Sequence, residues 1–444
     1  MEFFYKFILL IILLSFISIL FGGLIKYHYE GGQKYQKIQN LALLLASIPM
    51  NINKILRSKF FNLNKQIFIT KHKNKKRFEQ FIPNLREGLI ILPRYDHSLG
   101  RSLVDIIDLK NFKTIHTYKH DILKMNKLVK NTMDFPNLDI IDNVKNFLYK
   151  HPLVFEDGSL VCSGIYSPLF KIDFNSNLEW INDEVVFHHT KILDFETNIW
   201  TGGQLKPFSK ILSNFYINKF RNYALLKINS DGKILYKKSV IEILIENKIV
   251  SKSFIDQLKN NPDIAHLNCI EPALSNSEYW KKGDLFLSLK HLSAIILYRP
   301  STNKVINYIT GPFAQQHDVD IISEKEISFF NNNNFIINNE TSEVLIYNFE
   351  TKKFKKKFNE QLKQENFKTS NGGVSQILSD GSLMVEEQKF GRIILFNNKG
   401  DKEWEFVNKD ENGDIGILNS CRIIENSTFI KKYKSLVEEK KNIS

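Results

Sequence analysis

The chain contains the stretch DGSLVCSG (residues 157–164) followed by PLFKIDFNSNLEW (168–180), and the second half of this unit recurs along the sequence. In each copy, two strand-like runs flank a turn rich in Asp, Asn, Ser or Gly. Such turns tolerate positive φ angles, so each copy has the pattern of a β-hairpin. The sequence therefore indicates an all-β body, with a helical period only near residues 240–259.

Six copies of the hairpin unit can be recognised. The other five are SLVDIIDLKNFKTIHTY (102–118), YALLKINSDGKILY (223–236), SAIILYRPSTNKVINY (293–308), SEVLIYNFETKKFKKKF (342–358) and GRIILFNNKGDKEW (391–404). Repeats of about 40–50 residues with four short strands each are typical of β-propellers, in which radial stacking buries both faces of every sheet. We predict a six-bladed propeller over residues 87–430, closed by CRIIENSTF (421–429) beside the first blade.

An uncharged apolar run, FILLIILLSFISILFGGLI, occupies residues 7–25. Its length matches the ~20 residues that a helix needs to cross the hydrocarbon core of a bilayer. A cleavable signal peptide is the alternative, but the run continues into Leu24-Ile25-Lys26-Tyr27 and not into a small-residue cleavage site. We predict an uncleaved transmembrane anchor over residues 1–29.

Positive charge is concentrated beside this anchor. The formal net charge is +13, and residues 1–86 hold 14 Lys or Arg against three Glu, so the rest of the chain is nearly neutral. Anionic lipid is a simpler partner for such a segment than nucleic acid, which would need a basic surface on the folded body. We interpret residues 30–86, with the run KHKNKKR (71–77), as a short helical, basic juxtamembrane stalk, and 431–444 as a basic tail.

Three consecutive blades begin with histidine: VFHH (186–189), AHLN (265–268) and QQHD (315–318). The first strand of a propeller blade lines the central channel, so these side chains are predicted to converge on the axis. A single such histidine would more simply satisfy a hydrogen bond at a blade junction, but recurrence in three blades favours a shared site. The histidines before residue 152 are interpreted as exposed residues of tails and turns.

No cofactor or metal is predicted. The histidine pairs lack a familiar ligand spacing, and Cys162, Cys269 and Cys421 are scattered without CxxC spacing, so neither a zinc site nor a disulfide framework is indicated. Glu386 with Arg392 is interpreted as a structural bridge and not as an acid–base pair. The sequence carries no indication of the oligomeric state.

Six blocks between residues 187 and 406 resemble, in order, the signature blocks of the bacterial arylsulfate sulfotransferase family. They are FHHTKILDFETNIW, HLNCIEP, GDLFLSLKHLSAIILY, GPFAQQHDVD, GGVSQILSDGSLMVEE and FGRIILFNNKGDKEWEF. The resemblance implies a six-bladed propeller of the bacterial envelope that moves a sulfuryl group from a phenolic sulfate ester to another phenol without a nucleotide donor. It also implies a periplasmic body on an inner-membrane anchor, whereas the lysines that follow the apolar run favour a cytoplasmic one.

Transferred position by position, the resemblance implies that His317 is the covalent nucleophile. It assigns His266 and Asn268 to the sulfuryl-binding and acid–base positions, and His188 or His189 to a further channel position. Two positions depart from the family pattern: Lys290 stands where arginine is usual, and Cys269 where aspartate is frequent.

These residue types suit sulfuryl transfer. A neutral imidazole, with an ordinary pKa of ~6.5, is a nucleophile at pH 7, and a phenol of pKa ~10 leaves more easily when a second histidine protonates it. Lys290 supplies a point charge for the sulfuryl oxygens in place of arginine's planar fork. The main alternative is a non-enzymatic envelope propeller that binds aromatic, sulfated or glycan ligands. A quinone-dependent dehydrogenase ranks third, because four tryptophans are too few for its blades.

Overall fold

The computed structural model describes residues 2–29, 34–35, 37–46, 48, 69–83, 86–132, 134–135, 137–141, 143–165, 167–206, 221–251, 263–333 and 341–441. Within these ranges the chain forms six antiparallel sheets arranged as the blades of a propeller. The predicted six-bladed propeller is therefore confirmed. The alternation of apolar runs and turn residues produces it because each run pairs with the next along the chain.

Blades 2 to 5 each contain four strands, which follow one another in chain order from the channel outward. After β1 (Phe78–Gln80), blade 1 contains β2 (Leu89–Asp96), β3 (Arg101–Asp108) and β4 (Lys113–Tyr118), and blade 2 contains β5 (Lys150–Val154), β6 (Leu160–Ser163), β7 (Leu169–Ile172) and β8 (Leu178–Asn182). Blade 3 contains β9 (Val186–Leu193), β10 (Ile199–Gln204), β11 (Tyr223–Ile228) and β12 (Ile234–Ser239).

Blade 4 contains β13 (Leu267–Pro272), β14 (Leu285–Leu289), β15 (Ala294–Arg299) and β16 (Lys304–Ile309). Blade 5 contains β17 (His317–Ser323), β18 (Glu326–Asn331), β19 (Glu343–Asn348) and β20 (Lys353–Lys356), and blade 6 contains β21 (Val374–Ile377), β22 (Leu383–Glu387), β23 (Arg392–Phe396) and β24 (Lys402–Val407). The last strand, β25 (Arg422–Ile424), completes blade 1. Short helices lie at Ile122–Asn126, Val240–Glu246 and Asn359–Gln364.

Two strands close the ring. β25 pairs with β2 in the first blade, which confirms the predicted closing strand, and β1 adds a fifth strand to blade 6 along β24. Glu386 helps to hold β25, because its carboxylate accepts hydrogen bonds from the backbone N–H groups of Ser420 (3.1 Å) and Cys421 (2.6 Å). The predicted bridge from Arg392 to Glu386 is wrong: Arg392 bonds instead to Glu387, one residue further along the strand and on its other face.

Hydrophobic cores fill the spaces between blades. Between blades 4 and 5, for example, Phe286 and Leu297 pack with Val319 and Phe329, all fully buried. Successive strand residues point to opposite faces, so each blade contributes to two such cores. Burial of this kind, at roughly 25 cal/mol per Å² of apolar surface, is the main source of the propeller's stability.

The basic run of residues 71–77, assigned above to the stalk, packs on the propeller. His72 is buried and its Nε2 lies 2.8 Å from Glu387, while Lys75 forms an ion pair with Glu405 at 2.7 Å. Just after the run, β1 joins blade 6. The propeller thus begins before residue 87, and part of the run's charge is matched by glutamates and not left for lipid. The rest of the predicted stalk lies largely outside the described residues.

Both ends of the described chain are helical. Residues 431–441 of the predicted tail belong to the helix Ser427–Lys441, whose Tyr433 is buried and shares a 2.7 Å hydrogen bond with Tyr118. The N-terminal helix Glu2–Tyr29 includes a 25-residue span, Phe4–His28, that is long and apolar enough to cross a membrane. An anchor and a signal sequence share this property.

A histidine-lined cavity at the propeller axis

The blade starts share an unusual backbone conformation. His151, His189, His266, Asp318 and Ser420 all have positive φ angles, between 46° and 71°. Non-glycine residues rarely adopt this region, and at strand starts it accompanies β-bulges that redirect a side chain. Register shifts follow at the starts of β5, β13 and β17. The bulges explain why one residue of each inner strand leaves the strand alternation and faces the channel.

The channel widens into a cavity of about 450 Å³. All six residues predicted for the site line it: His188, His189, His266, Asn268, Lys290 and His317. The predicted convergence on the axis is therefore observed, although the residues span three blades and 130 positions. A volume of this size suits a small aromatic ligand.

His317 presents its Nε2 atom to the cavity in a defined tautomer. Its Nδ1 lies 2.5 Å from Asn332 Oδ1 and 3.1 Å from the Gln315 carbonyl, both of which accept. The Asn332 amide is itself oriented, since its Nδ2 donates to the carbonyls of Thr369 and Gly372. Nδ1 therefore carries the proton. Burial, with the nearby charge of Lys290, lowers the pKa of His317 to about 3, so the ring is neutral at pH 7 with a lone pair on Nε2.

His266 is held differently. Its Nδ1 lies 2.7 Å from the Asp263 carboxylate, and its Nε2 lies 3.4 Å from the Nε2 of His189. Tyr223 donates a hydrogen bond to the same carboxylate oxygen at 3.2 Å, and Arg221 lies 3.3 Å away. Burial lowers the pKa of His266, while the hydrogen bond and negative charge of Asp263 oppose this effect.

Both histidines of the FHH block face the cavity. The ring of His189 lies between those of His266 and His317, with ring centroids 5.4 Å and 6.4 Å away. His188 packs edge-on against His189, and its Nδ1 is buried without a hydrogen-bond partner among the described residues. Burial and neighbouring positive groups lower the pKa of both histidines well below the usual range.

The two predicted ligand-binding residues line the cavity from blade 4. Lys290 is buried, its Nζ donates to Asn371 Oδ1 at 2.8 Å, and burial lowers its pKa. Asn268 donates from Nδ2 to the Gln316 carbonyl at 2.7 Å, whereas its Oδ1 is buried with no partner within the described part of the chain. Asn268 therefore lines the cavity with its amide held by the backbone of blade 5.

Sequence reasoning missed several residues of the cavity. His151, interpreted above as exposed, begins the second blade, lines the cavity and lies 3.0 Å from the hydroxyl of Ser420. Lys150 lines the cavity beside it, and burial lowers its pKa to about 8. The signal was present, because KHP begins blade 2 as the other histidine motifs begin theirs.

Asp318, next to His317, serves the closure of the ring. Its carboxylate pairs with Arg422 of β25 and accepts a hydrogen bond from the backbone of Ser375 at 2.8 Å. The cavity is consequently lined by lysines and histidines, with its only lining carboxylate among the described residues already paired to an arginine. Such a lining favours an anionic ligand.

One group of side chains is compact enough to hold a metal ion. Candidate ligand atoms of Asp263, His266 and His291 lie within 4.8 Å of one another. Both histidine Nδ1 atoms nevertheless lie at hydrogen-bond distance from oxygens of Asp263, His291 from its main-chain carbonyl at 2.6 Å. We interpret the group as a hydrogen-bonded network around Asp263.

Several solved structures are similar to the chain at low identity. A protein of unknown function from Bacteroides caccae has a TM-score of 0.45 and 9% identity, covering 77% of this chain and 100% of its own. TolB from Acinetobacter baumannii has the same score and identity over 77% and 68%. Virginiamycin B lyase from Staphylococcus aureus has a TM-score of 0.33 and 12% identity over 58% and 69%. These values support no conclusion about activity. None of the curated proteins matches the chain.

The family comparison agrees with the motifs. A model of the arylsulfotransferase (ASST) family matches residues 161–409, which is more than half of the chain and spans blades 2 to 6. The match includes all six predicted site residues. The histidine-lined propeller therefore belongs to the arylsulfotransferase family.

Proposed function

We propose that this protein transfers a sulfuryl group from a phenolic sulfate ester to a phenolic acceptor through a sulfohistidine at His317. The observation that carries the proposal is the His317 ring. It is neutral, its Nδ1–H is engaged by two oxygen acceptors, and its Nε2 lone pair faces a cationic cavity. Family membership supports the reaction class.

The surrounding residues have matching roles in this proposal. Lys290 offsets the negative charge that spreads over the sulfuryl oxygens as the S–O bond breaks. The hydrogen bond from Lys290 to Asn371 need not break when a sulfuryl group binds. An ammonium group has three N–H donors, and only one of them is engaged with Asn371. His266 exchanges the proton with the phenol oxygen, and His189 completes the polar wall between His266 and His317.

A phenolic ligand also fits the opposite side of the cavity. Leu148, Ile165 and Ile417 are the aliphatic side chains among the lining residues, and they stand in the blade 1 and blade 2 region, away from Lys290. An aryl ring placed there directs its sulfate towards His317. Asn268 lines the cavity beside His266 and is assigned to ligand binding.

Mixing the purified protein with an aryl sulfate in the absence of acceptor tests the proposal. We expect a burst of at most one equivalent of phenol and a sulfuryl group on the peptide that contains His317, because nucleophilic catalysis divides the transfer into two half-reactions. His317→Asn should abolish both signals. The matched variant His97→Asn, in a turn of blade 1 outside the cavity lining, should keep them.

Another result would favour the non-enzymatic alternative. If no aryl sulfate yields phenol or an adduct, yet such esters raise the melting temperature of the wild-type protein and not of Lys290→Ala, the propeller is a binding protein. A stable adduct on another histidine would show that the nucleophile is misassigned.

We also propose an inner-membrane anchor with the propeller in the periplasm. The length and composition of Phe4–His28 support an anchor, and family membership supports the compartment. Protease added to intact spheroplasts should digest the propeller, and membranes washed with salt should retain the undigested chain. Protection of the propeller until the cells are lysed would place it in the cytoplasm.

A further inference from the structure

Two cavity histidines are held at Nδ1 by side chains of the same shape and different charge. The Nδ1 of His317 bonds to the neutral amide of Asn332 at 2.5 Å, and that of His266 bonds to the anionic carboxylate of Asp263 at 2.7 Å. Neither Asn332 nor Asp263 lines the cavity. Each therefore acts on a ligand only through its histidine.

The neutral acceptor suits a nucleophile. Asn332 can accept the Nδ1 proton of His317 in a hydrogen bond but adds no charge that would favour protonation of Nε2. Its own Nδ2 donates to the carbonyls of Thr369 at 2.9 Å and Gly372 at 2.7 Å, which prevents the amide from turning its N–H groups towards the ring. The lone pair of Nε2 thus stays available for attack.

The anionic acceptor suits an acid–base group. A carboxylate at Nδ1 stabilises the imidazolium form, so that Nε2 can gain and release a proton in a buried site. Asp263 is anchored for this task, because Tyr223 donates to it and Arg221 lies beside it, both on its Oδ2 side. The hydrogen bond to Nδ1 also directs Nε2 towards His189 and the cavity.

We propose that Asn332 and Asp263 are positioning residues that divide the reaction between the two histidines: Asn332 keeps His317 the nucleophile, and Asp263 makes His266 the general acid and base. This inference rests on the proposed sulfuryl transfer. It extends that proposal to two residues outside the cavity lining.

The half-reactions balance as follows. His266 enters the first half-reaction as the imidazolium, with its Nδ1–H bonded to the Asp263 carboxylate. Nε2 of His317 forms a bond to sulfur while the S–O(aryl) bond breaks, and the departing phenol oxygen takes the electron pair of that bond and a proton from Nε2 of His266. In the second half, the acceptor phenol gives its proton to Nε2 of His266, its oxygen forms a bond to sulfur, and the S–N bond breaks with its electron pair returning to His317. Asp263 retains the Nδ1 hydrogen bond throughout.

A leaving-group series with Asp263→Asn tests the acid–base arm. The burst rate on phenyl sulfate, whose phenol is a poor leaving group of pKa ~10, should fall about 10²-fold or more, because departure needs a proton. On nitrophenyl sulfate, whose phenolate leaves unaided, the rate should change within about threefold. The matched variant Asp194→Asn changes a buried aspartate that is bonded to Trp200 in blade 3. Relative to the wild type, it should change the burst rates on the two esters by the same factor.

The reciprocal variant Asn332→Asp tests the nucleophile arm. A carboxylate at Nδ1 raises the pKa of His317, so the burst on nitrophenyl sulfate should become slow at low pH and recover as pH rises, whereas the wild-type burst should be independent of pH over the same range. Nitrogen-15 spectra should show the Nδ1–H tautomer of His317 in the wild-type protein.

The outcomes separate this inference from the function on which it rests. Suppose that the wild-type protein gives a burst but Asp263→Asn loses the same factor on both esters, or Asn332→Asp keeps the wild-type pH profile. Either result overturns the division of roles and leaves sulfuryl transfer intact. Absence of any burst or adduct in the wild-type protein overturns both.

Discussion

Two regions of the propeller concentrate buried ionisable side chains and arrange them in opposite ways. The channel histidines are His151, His188, His189, His266 and His317. The blade 6 ion-pair cluster consists of Lys71, His72, Lys75, Glu365, Glu387, Arg392, Lys402 and Glu405. In the cluster each cation has a carboxylate within 4 Å, whereas four of the five channel histidines have none at that distance in the part of the chain that the structure describes.

The two regions differ in how they offset the cost of burying an ionisable side chain. Arg392 is fully buried but bonds to Glu387 at 2.6 Å and reaches Glu405 at 3.2 Å, so carboxylates lie against its guanidinium group. Hydrogen bonds from His72 and Lys71 and the charge of Arg392 lower the pKa of Glu387 to about 2 despite its burial. The four channel histidines without a carboxylate partner solve the same problem by staying neutral, because burial lowers their pKa values. A paired cluster stabilises the fold, and a neutral, cation-flanked set is free to meet an anionic ligand.

The largest expected effect is a loss of activity without a loss of stability when a channel histidine is replaced. His317→Asn should lower kcat/KM on aryl sulfates by at least about 10³-fold, as loss of a nucleophile does. It should leave the melting temperature within about 3 °C, since a neutral side chain replaces a neutral ring. Steady-state kinetics and thermal unfolding measure the two quantities. Activity within tenfold of the wild type would contradict the assignment.

Substitution of Lys290 tests the difference between a charge that interacts with ligand and the charges that are paired within the blade 6 ion-pair cluster. Lys290→Ala should reduce kcat by about 10²-fold or more, because the group offsets charge that develops on the sulfuryl oxygens. Lys290→Arg should keep or raise the rate, because a guanidinium retains the charge and can engage two oxygens. Equal rates for Lys, Arg and Ala at this position would remove the role.

The reverse pattern is expected in the blade 6 ion-pair cluster. Glu405→Gln removes a buried partner of Arg392 and Lys75, so the free energy of unfolding should fall by about 2 kcal/mol while kcat stays unchanged. Urea unfolding and kinetics on the same preparation check both parts. The exposed pair of Glu360 and Lys363 provides the control, and Glu360→Gln should leave the free energy of unfolding unchanged within the error of the measurement. A loss of activity without a loss of stability would count against a structural role.

The smallest effect is a pH dependence of stability. The unfolded chain protonates His317 near pH 6.5 and the folded protein only near 3, so this stability is present above pH 6.5 and falls by about 1.4 kcal/mol per unit as pH drops. Burial also lowers the pKa of His151 well below its usual range. His151→Asn should therefore make the loss of stability below about pH 6 shallower by roughly 1 kcal/mol per unit. Urea unfolding at a series of pH values measures both slopes, and equal slopes for His151→Asn and the wild type would contradict the prediction.

Much of the site could be predicted from blade-start motifs. VFHH, AHLN and QQHD were enough to place His188, His189, His266 and His317 at the axis, because a propeller repeats its inner strand at a regular spacing. His151 was missed although KHP occupies the same place in blade 2, since histidines before residue 152 were assigned to tails and turns. Asp263 and Asn332 carry no motif, and they reach Nδ1 of their histidines only after the bulged blade starts are formed.

The sequence by itself determined the number of blades, the closing strand and the family, because these depend on local alternation, turn residues and ordered motifs. Only the tertiary structure decided which ionisable groups are paired and which stay neutral. That outcome depends on distances between residues far apart in the chain, such as the 315 positions that separate His72 from Glu387. The tertiary structure also decided that the basic run is bound to blade 6. Charge alone attracts a lysine equally to lipid or to glutamate. The pairing of β1 with β24 brings the glutamates within reach of the run.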